Sequence, residues 1–192
     1  VELTQDLQDL NLLCVAVDNG VNDRVYPQKA DFTFYGGLYR DVSLVCVPPQ
    51  HFELAKDGTP GIKVTPRVDG DLAHVLVETW QNGEGEVAYT IGEETKIAAS
   101  VNGYASAEFE IAHVHLWNGV KDPYLYCVKA VFGTDEIWTK FGCRDFAFDA
   151  ERGFLLNGKP YPLRGVSRHQ DRKGIGSALT IKEHEEDMEL IR

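Results

Sequence analysis

Histidines and acidic residues are the side chains of this sequence that could carry chemistry, but their spacing alone defines no catalytic site. His113 and His115 alternate along a strand-like run, where they would share one face as two metal ligands do. No third ligand lies near them in the sequence, so a metal site is disfavoured. The sequence contains no G-x-S-x-G, H-E-x-x-H or glycine-rich phosphate-binding motif. Gly36-Gly37 allows close backbone approach or an unusual φ, and a bulge or turn is the favoured interpretation.

The four cysteines form no metal-binding or redox motif. Cys14, Cys46, Cys127 and Cys143 are widely separated and show no C-x-x-C or Cys/His ligand spacing. Each lies in an apolar, strand-like run, so we predict reduced cysteines that are buried as small hydrophobic side chains. A single disulfide in an exported protein is the alternative.

Charge and hydropathy exclude some classes of partner. The chain of 192 residues carries 30 Asp and Glu against 19 Lys and Arg, a formal net charge of −11. Nucleic acids bind surfaces with clustered Lys and Arg, and this acidic sequence lacks such a cluster, so we expect no nucleic-acid partner. No apolar stretch reaches the ~18 residues of a transmembrane helix and no signal peptide is recognisable, so we expect no membrane partner. The missing initiator Met predicts an internal piece of a longer protein. We expect a bacterial, cytoplasmic protein, with a periplasmic location as the alternative.

Most of the sequence consists of short apolar runs that end at turn residues, the pattern of antiparallel strands. Between residues 49 and 143 the predicted strands are 72–80, 87–91, 107–116, 124–132 and 136–141. They alternate apolar and polar residues, which is typical of half-exposed strands. Residues 49–143 therefore predict one immunoglobulin-like antiparallel β-sandwich. Two earlier runs, 12–17 and 42–47, predict strands of a preceding domain that ends at the Pro48-Pro49 hinge.

The sequence changes character after the sandwich. Residues 154–161 predict a β-hairpin with an Asn-Gly tip, and residues 163–167 predict a compact strand. Thr180 and Glu183 have the spacing of a capping box, which predicts a helix from there to Arg192. A strand, a loop and a helix in this order indicate the first repeat of a parallel α/β structure.

Two segments are distinctive enough to resemble a known family. The end of the N-terminal sugar-binding jelly roll of glycoside hydrolase family 2 is similar to residues 26–42, which read Tyr-Pro-Gln-Lys-Ala-Asp-Phe-Thr-Phe-Tyr-Gly-Gly-Leu-Tyr-Arg-Asp-Val. The start of that family's catalytic (β/α)8 barrel is similar to residues 153–171, which read Gly-Phe-Leu-Leu-Asn-Gly-Lys-Pro-Tyr-Pro-Leu-Arg-Gly-Val-Ser-Arg-His-Gln-Asp. The late strands of its central immunoglobulin-like domain resemble Leu116-Trp117, Pro123-Tyr124-Leu125-Tyr126 and Phe141-Gly142-Cys143-Arg144, where Cys143 replaces the usual Phe.

This resemblance implies three domains. Residues 1–48 would be the C-terminal end of the sugar-binding jelly roll, residues 49–143 the immunoglobulin-like domain, and residues 144–192 the truncated start of the barrel. The implied fold class is mainly β: an antiparallel sandwich flanked by the end of a jelly roll and by the first strand and helix of a (β/α)8 barrel.

The resemblance also gives roles to two residues. Asp31 falls on the jelly-roll aspartate that hydrogen-bonds the sugar in subsite −1 and, in some β-galactosidases, also holds a sodium ion. His169 falls on the histidine after the first barrel strand, which contacts sugar hydroxyls in the transition state. From the residues alone, a turn carboxylate and a surface histidine are the simpler interpretations. Arg168 and Asp171 are expected to brace the loop rather than touch sugar.

The catalytic groups of the family are expected outside this chain. Retaining glycosidases use two carboxyl groups, and the resemblance places both glutamates on later barrel strands beyond Arg192, together with the usual magnesium ligands. The glutamates of the first helix would lie on the outside of the barrel and cannot replace them. The chain alone would then be inactive and without cofactor, while magnesium and sodium are the ions implied for the parent protein.

The loop sequence after the first barrel strand indicates the substrate. Residues 167–171, Ser-Arg-His-Gln-Asp, followed by Gly174 and Gly176, are most similar to a β-galactosidase, whereas β-glucuronidases usually carry Asn-Lys-His-Glu-Asp. The parent would be a retaining, homo-oligomeric β-galactosidase that removes terminal β-D-galactose from β-galactosides. A β-glucuronidase of the same family is one alternative. A free-standing carbohydrate-binding or adhesion sandwich and a purely structural spacer domain are the others.

Overall fold

The chain folds into two units. The computed structural model describes residues 3–24 and 33–192. One unit is Val45–Gly165, and the other is formed by Val1–Leu44 together with Val166–Arg192. No helix within the described residues is long and apolar enough to cross a membrane. The predicted division into three domains stays a prediction.

The first unit contains a β-sandwich of seven strands. In chain order they are β1 (Ile62–Asp69), β2 (Leu72–Trp80), β3 (Gly85–Ile91), β4 (Glu94–Ser100), β5 (Tyr104–Ala112), β6 (Tyr126–Phe132) and β7 (Asp135–Phe141). One sheet has the order β1-β2-β5 and the other β4-β3-β6-β7, and every pairing is antiparallel. The predicted immunoglobulin-like antiparallel sandwich is confirmed.

Strand alternation builds the core between the two sheets. Every second residue of β2 from Ala73 to Thr79 is buried, as is every second residue of β3 from Val87 to Ile91. Phe109 of β5 is also buried and lies opposite Val75 in the register. Side chains of one face of a strand point the same way, so the period of two in the sequence decides which residues enter the core.

The core also contains a hydrogen-bonded pair of polar side chains. Tyr89 and Thr79 are both fully buried, and their hydroxyl oxygens lie 2.6 Å apart in a hydrogen bond. Burial disfavours the charged phenolate and raises the pKa of Tyr89 to about 12. The hydrogen bond satisfies a hydroxyl that water cannot reach.

Two strands of the sandwich were not predicted. β1 contains Pro66, which argues against a central strand, and β1 lies at the edge of its sheet, where proline is tolerated. β4 is also an edge strand, and its sequence, Glu-Thr-Lys-Ile-Ala-Ala-Ser, has little apolar alternation. Edge strands need fewer buried side chains, so their sequence signal is weak.

The strand predicted at 107–116 is shifted. The structure forms β5 at Tyr104–Ala112, and His113, with a φ of +52°, ends it. His113 and His115 therefore do not alternate along a strand as predicted. A positive φ is unfavourable for a residue with a Cβ and is incompatible with the extended ladder.

A third, small sheet follows the sandwich. Its strands are β8 (Phe146–Asp149), β9 (Gly153–Leu156) and β10 (Lys159–Pro160), in the order β10-β9-β8. The predicted hairpin is confirmed, because β9 and β10 are joined by Asn157 and Gly158, whose φ angles are +49° and +73°. Two consecutive positive φ angles are what a two-residue hairpin turn of this kind requires.

Three predicted strands are absent. Residues 12–17, 42–47 and 163–167 are neither helix nor strand. Leu12 is 91% exposed and Val42 is 65% exposed. An apolar run becomes a strand only when a neighbouring strand pairs with its backbone, and these runs enter no ladder with the described strands. The start of a barrel remains a prediction.

The predicted helix is confirmed as α1 (Ile181–Ile191). Thr180 and Glu183 form the expected capping box; the Thr180 hydroxyl donates to Glu183 Oε2 at 2.6 Å, and the Thr180 N–H donates to the same oxygen at 2.7 Å. These hydrogen bonds hold the pKa of Glu183 below its usual range. No residue of α1 is buried.

The prediction for the cysteines is correct for one residue. All four cysteines are free, but only Cys143 is buried, and burial raises the pKa of its thiol to about 11. Cys14, Cys46 and Cys127 are exposed, contrary to the prediction. Cys14 and Cys46 lie in runs that form no strand, and Cys127 lies on the outward face of β6 beside the buried Val128.

Candidate functional site

A cleft of about 560 Å³ lies within the unit formed by Val1–Leu44 and Val166–Arg192. Its polar lining includes Asp18, Asn19, Arg40, His169, Gln170 and Asp171. Tyr35 and Tyr39 add an aromatic wall, with their rings edge to face at 6.5 Å. Concave sites with a few convergent polar groups are the usual places for small-molecule binding.

One of the two predicted sugar-binding residues lies in this cleft. His169 is exposed and belongs to the lining. Asp31 lies outside the described residues, so its place relative to His169 stays a prediction. The two sequence segments that carried the family resemblance, 26–42 and 153–171, both contribute residues to the cleft.

One wall of the cleft, the N-terminal wall, is formed by residues 18–22 and 33–40. The Asn19 side-chain amide donates to the Phe34 carbonyl oxygen at 3.0 Å. A Cβ at Gly36 would lie 2.8 Å from Asn19 Cγ, and Gly37 has a φ of +85°. Gly36 therefore allows a close approach of the Asn19 side chain, and Gly37 adopts an unusual φ, which are the two uses that such a pair allows.

The other wall of the cleft, the C-terminal wall, contains residues 169–177 and is attached to α1. Arg168 Nε donates to Asp187 Oδ2 at 2.7 Å, and Arg168 Nη1 lies 3.0 Å from His184 Nδ1. Arg168 thus contacts the helix, in agreement with its expected bracing role. Asp171, which was also expected to brace the loop, lines the cleft.

A tight turn follows Asp171. The Arg172 N–H donates to the Gly176 carbonyl at 3.0 Å, and the Gly176 N–H donates to the Arg172 carbonyl at 2.8 Å. Arg172 Nη2 also pairs with Glu186 Oε2 of α1 at 2.7 Å, which raises the pKa of Arg172 above its usual value. This turn and the Arg168 contacts attach the His169 segment to α1 at two points.

Arg40 joins the two walls. Its Nη2 donates to Gln170 Oε1 at 3.1 Å, and its Nε donates to the Ser177 carbonyl oxygen at 3.5 Å. Sequence reasoning did not select Arg40 or Gln170, although each lies in one of the segments that resemble the family. A guanidinium has several donors in a fixed plane, so one arginine can bind two acceptors at once.

The chemistry of this lining suits a polyhydroxylated ligand. Asp18 and Asp171 offer acceptors, Arg40 offers donors, and the Asn19 and Gln170 amides offer both. Sugar hydroxyls donate and accept hydrogen bonds, so a mixed lining can satisfy them. Within residues 3–24 and 33–192, no group of three His, Cys, Asp or Glu side chains could hold a metal ion.

The histidines first considered as metal ligands lie outside this cleft. His113 Nδ1 is 2.5 Å from Asp71 Oδ2, and His115 Nε2 is 2.6 Å from Asp122 Oδ2. Each histidine thus pairs with its own carboxylate in the sandwich unit, and the two do not converge on one point.

Comparison with known proteins gives the family. Residues 52–144 match the sequence profile of glycosyl hydrolases family 2. The chain is 32% identical to a β-glucuronidase of Bacteroides fragilis over 95% of this chain and 29% of that protein. It is 30% identical to a β-galactosidase of Thermoanaerobacterium thermosulfurigenes over 96% of this chain and 28% of that protein.

Solved structures agree with these relatives. A crystal structure of a Bacteroides uniformis β-glucuronidase superposes with a TM-score of 0.77 at 33% identity, covering 91% of this chain and 24% of that one. A putative β-galactosidase of Bacteroides fragilis gives 0.64 at 31% identity, covering 74% and 24%. The chain therefore spans less than a third of the length of these relatives. Its sandwich, its family profile and these similarities together show that the chain belongs to glycosyl hydrolases family 2.

Proposed function

We propose that this chain is the substrate-binding and scaffolding part of a retaining β-glycosidase that releases terminal β-D-galactose from β-galactosides. The observation that carries the proposal is the cleft in which His169 and Gln170 of the Ser-Arg-His-Gln-Asp segment lie beside polar side chains of the N-terminal segment. In this proposal Asp31 and His169 hydrogen-bond the hydroxyls of the galactose ring. The magnesium, the sodium and the homo-oligomeric assembly expected of the parent protein belong to the same proposal.

The charge of the cleft supports a neutral sugar. Its described lining carries the carboxylates of Asp18 and Asp171 against the single guanidinium of Arg40. Arg40 already donates to Gln170 and to the Ser177 carbonyl. A glucuronide would bring a further carboxylate into this lining, and like charges repel at short range.

β-Glucuronides are the second candidate substrates. Some of the relatives' names favour them, because the Bacteroides uniformis protein and the Bacteroides fragilis relative with 32% identity are β-glucuronidases. A free-standing carbohydrate-binding module is a less suitable alternative, because it would give no role to the segment around His169.

The test compares two substrates on the longer protein that carries this chain. We expect kcat/KM for a chromogenic β-D-galactoside to exceed that for the matching β-D-glucuronide by about 100-fold or more, a difference of about 2.7 kcal/mol in transition-state binding. A ratio in the opposite direction would assign the glucuronide function. The chromogenic aglycone should leave first, and the galactose then released by water should initially be the β-anomer, as retention requires.

The 192-residue chain provides the matched control. We expect it to hydrolyse neither glycoside above a buffer control, because the family's paired catalytic carboxylates are expected outside it. Turnover by the purified chain would contradict the proposed separation between substrate-binding residues and catalytic residues.

A further inference from the structure

We propose that Arg40 is a positioning residue that holds His169 in the cleft by anchoring the next residue of the chain, Gln170. The inference rests on the proposed function, because it explains how the residue assigned to the sugar is kept in place. Arg40 Nη2 binds the Gln170 side chain at 3.1 Å, and Arg40 Nε binds the Ser177 carbonyl at 3.5 Å.

His169 is held through both of its neighbours. On its N-terminal side, Arg168 binds Asp187 and His184 of α1. On its C-terminal side, Gln170 is bound by Arg40, which lies 130 positions away in the sequence. The first attachment is made within the C-terminal segment, and the second connects that segment to the N-terminal one. Removing Arg40 would take away the attachment of Gln170 to the N-terminal segment, while the contacts of Arg168 and Arg172 with α1 would remain.

A second contact between the same two segments supports this role. Tyr35 packs so closely on Gly176 that a Cβ at that position would lie 2.8 Å from Tyr35 Cζ. Residues 35–40 therefore touch the loop 170–177 near both of its ends. The loop between Gln170 and Ser177 is thus held against the segment that also contributes Tyr39 and Arg40 to the cleft.

The type of bond makes the role testable by a conservative change. Arg40 donates to the neutral amide oxygen of Gln170, so Gln170→Ala removes the acceptor and leaves Arg40 intact. Gln170→Glu keeps an acceptor at nearly the same place and adds a charge, and hydrogen bonds between ionised partners are stronger than neutral ones. A positioning role therefore predicts that Gln170→Ala loosens the loop and that Gln170→Glu does not.

The first experiment is hydrogen exchange on the 192-residue chain. We expect Arg40→Ala and Gln170→Ala to accelerate exchange of the amides at 169–177 by about fivefold to tenfold, the effect of one lost hydrogen bond. Gln170→Glu should leave exchange as slow as in the wild type. Arg67→Ala, which removes an exposed arginine of β1, is the matched control and should not change these amides. Equal exchange in Arg40→Ala and the wild type, or equal acceleration in Arg67→Ala, would overturn the proposal.

The second experiment is a double-mutant cycle in the longer protein. If Arg40 acts through His169, Arg40→Ala lowers kcat more than it raises KM, and the double variant with His169→Ala is no slower than His169→Ala alone. Additive losses would mean that Arg40 acts independently and would overturn the positioning role. A protein that cleaves neither glycoside would refute the proposed function, while the exchange experiment would still decide whether Arg40 holds the loop.

Discussion

In the sandwich unit, alternating strands remove Val75, Phe109 and Val128 almost completely from water. In the unit that contains the cleft, Leu12 and Leu38 are 91% and 61% exposed, and α1 has no buried residue. The sandwich is therefore stabilised by burial of apolar surface, whereas the described part of the cleft is held by side-chain hydrogen bonds and ion pairs. Apolar burial contributes more free energy than exposed polar contacts do.

The residues that form the apolar core and the residues that line the cleft therefore belong to different parts of one chain. The described lining of the cleft includes no residue of the sandwich, and the described part of the unit with the cleft has little regular structure. Binding residues often lie on irregular segments, because loops can present side chains that a ladder would direct elsewhere. Variants in one unit should therefore change the properties of that unit and leave those of the other unit unchanged.

The largest effect is expected in the sandwich core. Phe109→Ala removes a side chain that is 1% exposed and should lower the free energy of unfolding by about 3–5 kcal/mol, because it leaves a cavity. Leu38→Ala, in the other unit, should change it by less than about 0.5 kcal/mol. Urea unfolding followed by tryptophan fluorescence reports on the sandwich, since Trp80, Trp117 and Trp138 all lie in that unit, and calorimetry reports on the whole chain. Similar losses for both variants would erase the contrast between the units.

The second effect concerns catalysis. In the longer protein, His169→Ala and Asp31→Ala should each lower kcat/KM for the galactoside by about 100- to 1,000-fold, since a hydrogen bond made mainly in the transition state contributes about 2.7–4 kcal/mol. The fluorescence-detected unfolding of the sandwich should not change. His113→Ala is the matched histidine control, because His113 pairs with Asp71 outside the cleft. If either of these two variants keeps kcat/KM within about threefold of the wild type, the substituted residue does not belong to the proposed site.

The third effect is a loss of sandwich stability at alkaline pH. Burial raises the pKa of Tyr89 from its ordinary value of 10.0 to about 12, and that of Cys143 from 9.0 to about 11. The unfolded chain loses these protons first, so the stability they contribute is complete below pH 9 and declines as pH rises through the folded values. The decline should reach about 3 kcal/mol for each group.

Urea midpoints measured across this alkaline range test the prediction. Tyr89→Phe should flatten the upper part of the decline, at the cost of the hydrogen bond to Thr79. Tyr39→Phe, at an exposed ring of the other unit, is the control and should leave the pH profile of the sandwich unchanged. A profile that does not depend on Tyr89 would contradict the assignment.

The smallest effect is expected at α1. Thr180→Ala should destabilise the start of the helix by about 1 kcal/mol, and Thr180→Ser should be nearly neutral, because serine also caps helices. Exchange of the α1 amides measures the difference, and the sandwich amides should not respond. The pKa of Glu183 is lowered in the folded chain, so its contribution to the capping box is present above the usual glutamate range and is lost as pH falls through the folded pKa. If neither Thr180→Ala nor low pH accelerates amide exchange in α1, the capping box does not stabilise this helix.

Local signals explain which elements could be predicted. The strand predicted at 72–80 is β2, the Asn-Gly pair forms the hairpin tip, and the Thr180–Glu183 spacing gives the capping box. The turn and the cap depend on residues within a few positions of one another, and the apolar alternation of 72–80 is also a local pattern, so all three signals are visible in the sequence. The segment around His169 was also recognisable, because its residues are consecutive.

Features that depend on contacts between distant parts of the chain could be identified only from the tertiary structure. Pro66 is acceptable in β1 only because that strand lies at the edge of its sheet. The apolar runs at 12–17 and 42–47 have the composition of strands, yet they form none, because strand formation requires a neighbouring strand and not only a suitable run. The bond from Arg40 to Gln170 joins residues 130 positions apart, and no local pattern encodes such a contact. The sequence by itself determined the sandwich, the turns and the cap, and the tertiary structure decided which polar side chains meet in the cleft, because only folding brings distant segments within hydrogen-bonding distance.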